Sequence, residues 1–261
     1  MSITSQQRLW ITGASSGIGR ALACRLAKEG CELIVSSRNR QALESLAEEF
    51  PGQIRVLPCD VADTSLMQEL FKSQAAELDY LDGIILCAGY CEYVDLPDFN
   101  LPTFKQHMAV NFQGTVNACA AAYPLLKRAR ERGQAKPFIA GLCSMSSYLG
   151  FPRAEAYGAS KAAMAYFLDS LRADIGHEID VTTVYLGFVE TPMTAGNDFP
   201  MPFVQSAEKT AEAIVKKLRK RPLRINYPWR LHGLLKLPVM LQGLWYHRIM
   251  PRLRRAGDSV T

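Results

Sequence analysis

The sequence predicts an α/β chain: a doubly wound, mostly seven-stranded parallel sheet with helices on both faces. Two observations carry this. Apolar, β-branched runs of strand length alternate with helical runs over residues 1–228, as in successive βαβ units. A glycine-rich turn also follows the first strand directly and opens the first helix. No linker, repeat or low-complexity stretch interrupts the pattern. The length of 261 residues and an apolar content of 48% suit one domain with a sizeable core. Residues 1–228 are expected to form that domain, and residues 229–261 a basic, apolar extension that is not a domain of its own.

The predicted strands are 8–12, 32–36, 53–57, 82–86, 136–143, 181–185 and 223–226. The predicted helices are 20–30, 41–50, 66–78, 101–132, 157–175 and 206–220. The first turn reads Gly13-Ala-Ser-Ser-Gly17-Ile-Gly19. Glycines at these positions permit a tight turn and close approach of a pyrophosphate to the helix N-terminus. The plainer reading is an ordinary strand-to-helix turn, and the position directly after the first strand favours a nucleotide. The second strand ends in Ser36-Ser37-Arg38-Asn39-Arg40, with no acid to hold a ribose 2′-hydroxyl. Arginines there suit a 2′-phosphate, so NADP(H) is preferred and NAD(H) is the alternative. The plainer reading makes Arg38 and Arg40 solvated residues at a helix start. Asp60, leaving the third strand, is placed to accept from an adenine amino group.

The stretch Ser144 to Lys161 carries the chemistry. Tyr157 and Lys161 are four apart and share one face of a helix. An ammonium beside a phenol is expected to lower the phenol pKa and fit it for acid–base work. Ser144, at the exit of the fifth strand, could hydrogen-bond a carbonyl or alcohol oxygen. Tyr123 and Lys127 repeat the spacing and act as an internal control. Val110 stands where Ser144 would be, and Pro124, Leu125 and Leu126 follow where the first copy has Gly158, Ala159 and Ser160. Asn111, inside a helical run, is mildly unfavourable there and points to a hydrogen-bonding task.

Seven scattered Cys with no C-x-x-C read as reduced thiols of a cytoplasmic protein. The isolated His107, His177, His232 and His247 form no metal signature. Nothing at the N-terminus reads as a signal peptide. The net charge of +5 is unevenly placed: residues 213–257 hold twelve Lys or Arg and no acid, whereas residues 1–212 hold 18 basic and 24 acidic residues. The tail is too short and interrupted to span a bilayer. Its arginines, Trp229, Trp245 and Tyr246 suit a segment lying on an anionic membrane surface. The competing reading packs it over the substrate pocket or on another subunit. Its basic residues alternate with apolar runs, which argues against nucleic acid.

These residues together closely resemble the short-chain dehydrogenase/reductase family. The resemblance rests on Thr12-Gly13-x-x-x-Gly17-Ile18-Gly19, Asp60-Val61, Ala88-Gly89, Asn111, Ser144, Tyr157, Lys161 and Thr191, in family order over about the first 200 residues. It implies a Rossmann-type domain, a nicotinamide cofactor and oxidation or reduction at a hydroxyl or carbonyl. It implies Tyr157 as proton donor and Lys161 as the residue that tunes it and holds the nicotinamide ribose. Ser144 would orient the oxygen and Asn111 hold a proton-relay water. The implied cofactor contacts are Gly13, Ser15, Ser16, Gly17, Ile18, Gly19, Ser37, Arg38, Asp60, Val61, Ala88, Gly89, Tyr157, Lys161, Val189 and Thr191. Two departures stand out: Leu86-Cys87 replace the usual Asn-Asn, and Leu186-Gly187 the usual Pro-Gly. They bear on cofactor affinity and the nicotinamide-side loop rather than on the proton path.

The expected activity is thus an NADP(H)-dependent oxidoreductase interconverting a carbonyl and an alcohol. Aromatics and Met in 90–99 and 188–203 favour a small apolar substrate. The alternatives are a non-catalytic NADP(H)-binding redox sensor at a membrane, or a dehydratase or epimerase on the same scaffold. The resemblance also implies a homodimer or homotetramer formed through helices 101–132 and 157–175. The expected location is the cytoplasm, with peripheral membrane contact through the tail.

Overall fold

The computed structural model describes residues 6–74, 78–133 and 135–253. In chain order the elements are β1 (Arg8–Thr12), α1 (Gly17–Lys28), β2 (Glu32–Ser36), α2 (Arg40–Glu49), β3 (Ile54–Val56), α3 (Thr64–Gln74) and β4 (Gly83–Leu86). Next come α4 (Leu101–His107), a π-helical turn (Met108–Gln113), α5 (Gly114–Glu131), β5 (Phe138–Ser144), α6 (Glu155–Ile175) and β6 (Asp180–Leu186). The last are β7 (Val189–Glu190), β8 (Gln205–Ser206), α7 (Ala207–Leu218), β9 (Arg224–Tyr227), α8 (Trp229–Met240), α9 (Gln242–Leu244), a second π turn (Trp245–Ile249) and α10 (Met250–Leu253). The end of the predicted helix 66–78 lies partly outside the described residues, as do Arg254 and Arg255 of the tail.

Seven strands form one sheet in the order β3-β2-β1-β4-β5-β6-β9, and every neighbouring pair is parallel. Parallel strands need crossovers, so helices cover both faces. Side chains alternate accordingly. Leu9 and Ile11 join Leu22, Leu26, Leu43, Ile214 and Leu218 from α1, α2 and α7 on one face. Trp10 points the other way, into Met67, Ala118, Leu125, Met164 and Leu168 from α3, α5 and α6. The buried Trp10 indole donates to Ser36 Oγ at 2.9 Å, so its polar edge is satisfied.

The chain reverses its winding direction between β1 and β4, a switch point that opens a crevice at the strand C-termini. The small parallel pair β7–β8 was not expected. It joins Val189 to Gln205 and so closes what the sequence reads as a loop between them. The predicted single helix 101–132 is broken by the π turn, which inserts one extra residue per turn around Asn111.

The C-terminal segment packs against the body. Leu231, Leu235, Trp245 and Met250 share a buried cluster with Cys143, Met145, Leu149 and Tyr185. Among the described residues no helix is long and apolar enough to cross a membrane.

Candidate active site

A cleft of about 360 Å³ lies along the strand ends. Its lining includes Gly13, Ser15, Ser16, Gly17, Ile18, Gly19, Ser37, Arg38, Asp60, Val61, Ala88, Gly89 and Thr191. The glycines are required here by space. A Cβ on Gly13, whose φ is +70°, would lie 2.7 Å from the Ala88 backbone. A Cβ on Gly19 would lie 2.1 Å from the Gly13 carbonyl oxygen. Ser16 is the N-cap of α1 yet makes no side-chain cap hydrogen bond, so the first amides of that helix face the cleft unspent. A cradle without Cβ atoms, ending on free helix amides, fits a dinucleotide pyrophosphate. Thr12 Oγ1 accepts from the amides of Cys87 at 3.1 Å and Ala88 at 3.2 Å, which pins the exit of β4 beside the glycine turn. Cys87, where the family has Asn, is a thiol that burial pushes up to about 12, so it stays protonated.

At the other end, Ser37 and Arg38 reach the cleft, and the end of β2 itself carries no acid. Arg38 is exposed. Arg40 points elsewhere, pairing with Glu44 at 3.4 Å. Asn39 caps α2 by accepting from the Ala42 amide at 3.0 Å. Asp60 Oδ1 accepts from the Ala62 amide at 3.0 Å, which sets the carboxylate at the cleft wall. Val189 is buried in β7, where it pairs with Gln205, and Thr191 two residues on lines the cleft.

The structure gathers Ser144, Tyr157, Lys161 and Asn111 where β5 ends and α6 begins. Ser144 Oγ accepts from the Ser146 amide at 3.1 Å and from Ser146 Oγ at 2.9 Å. Ser144 also lies near enough to the Tyr157 phenol to favour its ionised form. Lys161 is buried and its Nζ donates to the Leu142 carbonyl at 2.9 Å. A Cβ on Gly89 would sit 3.6 Å from that Nζ and 3.5 Å from Asn111 Oδ1, so the β4 exit, Lys161 and Asn111 converge on one spot. Asn111 accepts from the Tyr90 amide at 2.8 Å and donates to the Tyr90 carbonyl and Ser160 Oγ, both at 2.9 Å. That one side chain ties the β4 exit loop to α6, which is the hydrogen-bonding task its unfavourable position signalled. The control behaves differently: Tyr123 is partly buried against the apolar core beside α5.

The electrostatics differ from the sequence expectation. Burial pushes the Tyr157 phenol above its usual value, and nearby Ser144 only partly opposes it. Burial also lowers the Lys161 ammonium. The phenol therefore holds its proton at neutral pH, because desolvation outweighs any help from Lys161.

His107 forms no metal signature in the sequence, yet it is fully buried beside the site. Its ring stands edge-on to Tyr90 at 4.8 Å and to Tyr157 at 6.2 Å between centroids. Nδ1 donates to the Thr103 carbonyl at 2.7 Å while Nε2 accepts from the Glu92 amide at 3.1 Å. These partners require the neutral ring. His107 and Asn111 are four apart, and both grip the loop after β4; that spacing was the available signal. Burial lowers the His107 pKa below its ordinary 6.5. The unfolded chain then binds the proton more readily, so this part of stability is present above pH 6.5 and is lost as pH falls below it. A His107→Gln variant should show a smaller drop in Tm between neutral and mildly acidic buffer than the wild type. An unchanged drop would place the acid sensitivity elsewhere.

The rim opposite the cleft is aromatic. Tyr93 packs on Phe199, and Phe199 on Phe188. Arg153 binds Asp95 at 2.6 Å and Asp198 at 2.9 Å, linking three loops around Tyr157. Among the described residues no cluster of His, Cys, Asp or Glu could hold a metal ion.

The chain is similar to known proteins. The short chain dehydrogenase family matches residues 7–199. An uncharacterized oxidoreductase of Myxococcus xanthus is 28% identical over 97% of this chain and 100% of the relative. A fatty acyl-CoA reductase of Acinetobacter baylyi is 32% identical over 82% of this chain and 74% of its own. An 11-beta-hydroxysteroid dehydrogenase A of Sesamum indicum is 32% identical over 71% of this chain and 53% of its own. A solved short-chain dehydrogenase/reductase family protein superposes with a TM-score of 0.73 at 25% identity, covering 87% of this chain and 97% of that one. A short-chain dehydrogenase from Streptomyces avermitilis, at 21% identity and TM-score 0.76, shares the fold over 93% of this chain and 97% of its own. With the family match spanning most of the chain and the glycine cradle in place, the protein belongs to the short-chain dehydrogenase family and is an oxidoreductase.

Proposed function

We propose that the protein is an NADPH-dependent reductase of an apolar aldehyde or ketone, working reversibly on the corresponding alcohol. The observation that carries this is the juxtaposition of Ser144, at the end of β5, with Tyr157 and the buried Lys161 of α6, at the end of the glycine-lined cleft. When bound, the nicotinamide supplies the hydride to the carbonyl carbon. Ser144 and Tyr157 hold the carbonyl oxygen, and Tyr157 gives it the proton. Lys161 stabilises the phenolate left behind, a preorganised charge that needs no rearrangement. Asn111 keeps the loop after β4 and helix α6 in register around these groups.

The aromatic rim of Tyr93, Phe188 and Phe199 supports an apolar substrate. Two relatives are named for a fatty acyl-CoA and a hydroxysteroid, both with large apolar parts. A homo-oligomer is part of the reading, with α6, which leaves Tyr166 77% exposed, as its candidate face.

Consumption of NADPH over a panel of long-chain aldehydes, steroid ketones and acyl ketones tests the reaction. Absence of turnover across all three classes would overturn it. Cofactor choice is tested through Arg38. Losing a charge-assisted hydrogen bond costs about 1.5 to 3 kcal/mol, so Arg38→Asp should weaken NADPH roughly 10- to 100-fold and spare NADH. An unchanged NADPH Kd would take Arg38 away from the 2′-phosphate.

A further inference from the structure

The C-terminal segment has two faces of opposite character. Inward, Leu231 and Leu235 are buried against the body together with Trp245 and Met250. Outward, α8 presents Leu234 at 61% and Leu237 at 60% exposure, followed by Met240 at 80%. Leu234 and Leu237, three apart on α8, begin an exposed apolar stripe, and the exposed Leu241 and Leu244 lie just beyond the helix end. Trp229, at 70% exposure, opens the helix with the Arg230 guanidinium 5.6 Å from its ring. So many large exposed apolar side chains in sequence mark a surface that meets something apolar.

The charges select the partner. Arg230, Lys236, Arg248 and Arg252 are exposed around this stripe. None of them belongs to an ion pair among the described residues. Residues 213–257 contain no acid that could answer them. Two copies meeting through this face would bring like charges together with no opposite charge between them. A sheet of anionic headgroups over hydrocarbon answers both the rim and the stripe. With twelve residues, α8 is about 18 Å long, too short to cross a bilayer, so it must lie along the surface.

We propose that α8 and the turns that follow it form a docking face for an anionic lipid bilayer. The same segment grips the loop between Ser144 and Tyr157. Tyr246 Oη accepts from the Gly150 amide at 3.0 Å, and Trp245 Nε1 donates to the Gly150 carbonyl at 3.3 Å. Phe151 packs edge-on against Trp245 at 5.5 Å. Docking therefore sets the substrate-side loop next to the lipid, where an apolar substrate would be dissolved. This last consequence rests on the reductase reading; the lipid contact does not.

Flotation of the full chain with vesicles of phosphatidylcholine, with and without phosphatidylglycerol, tests the proposal. The protein is expected to float with the anionic vesicles at low salt, at least several-fold more than with the neutral ones, and to be released by high salt. Leu237→Asp with Leu241→Asp should abolish flotation, and Arg230→Glu with Lys236→Glu should reduce it to the neutral-vesicle level. All four residues are exposed, so folding and NADPH binding should be unchanged, and both are measured alongside. No flotation at low salt, or equal flotation with neutral vesicles, would overturn the proposal. Light scattering that shows the leucine variants splitting a dimer would instead assign the stripe to a second copy. Turnover of a water-soluble carbonyl by the same variants reports on the reductase separately.

Discussion

Tyr157→Phe is expected to remove nearly all carbonyl reduction while leaving NADPH affinity within about twofold of the wild type. The reasoning rests on what the hydroxyl alone provides. Phe keeps the ring, its packing against His107 and the start of α6. It removes the one proton that the residue can give to the substrate oxygen. A positioned general acid contributes about 10²- to 10⁴-fold, which is about 3 to 5 kcal/mol of barrier. The loss should fall on kcat, since the phenol acts as the proton moves. The pH dependence separates this role from simple binding. Burial raises the phenol, so it stays protonated through neutral pH and reduction should be flat there. Alcohol oxidation needs the phenolate and should rise with pH. A Phe variant that retains full turnover, or a reduction rate that grows with pH, would remove Tyr157 from the proton path.

The parts of this site that were legible in the sequence depend on local spacing. Tyr157 and Lys161 lie on one helix, and Gly13, Gly17 and Gly19 on one turn, so short-range geometry brings each set together. Ser144 could be placed because β5 ends at a sheet edge where the neighbouring strands also end. What could not be read depends on contacts across the chain. The π turn at Asn111 follows from its bonds to Tyr90 and Ser160, 21 and 49 residues away. His107 gains its role only when the loop after β4 folds over it. The raised Tyr157 phenol is a matter of burial, which spacing to Lys161 does not report. The tail was read as apolar and basic, but its two-faced packing emerges only when Trp245 and Tyr246 meet Gly150. The pair β7–β8 is two residues long on each side, below the length at which periodicity carries a signal.

The second large effect is expected from Gly19→Ala, a change of one methyl group. The added Cβ would lie 2.1 Å from the Gly13 carbonyl oxygen and 2.8 Å from its carbon. Those are backbone atoms of the same turn, so no side chain can swing aside. The turn must open, and Gly13 cannot follow freely because the Ala88 backbone closes against it from β4. Overpacking of this kind costs about 1 to 3 kcal/mol of stability. The effect on cofactor binding should be larger, because the α1 amides and the cradle move together. NADPH affinity is expected to fall on the order of 100-fold, equal to about 2.7 kcal/mol. Gly196→Ala is the matched control: its Cβ would meet nothing within 4 Å, and both stability and affinity should be unchanged. Thermal unfolding with and without NADPH reads the two quantities in one experiment, because a ligand that binds only the folded state raises Tm with the logarithm of its concentration over Kd. If Gly19→Ala kept the full NADPH-dependent rise in Tm, the cofactor would have to sit away from the glycine turn. The cleft along β1, β2 and β4 would then need another occupant.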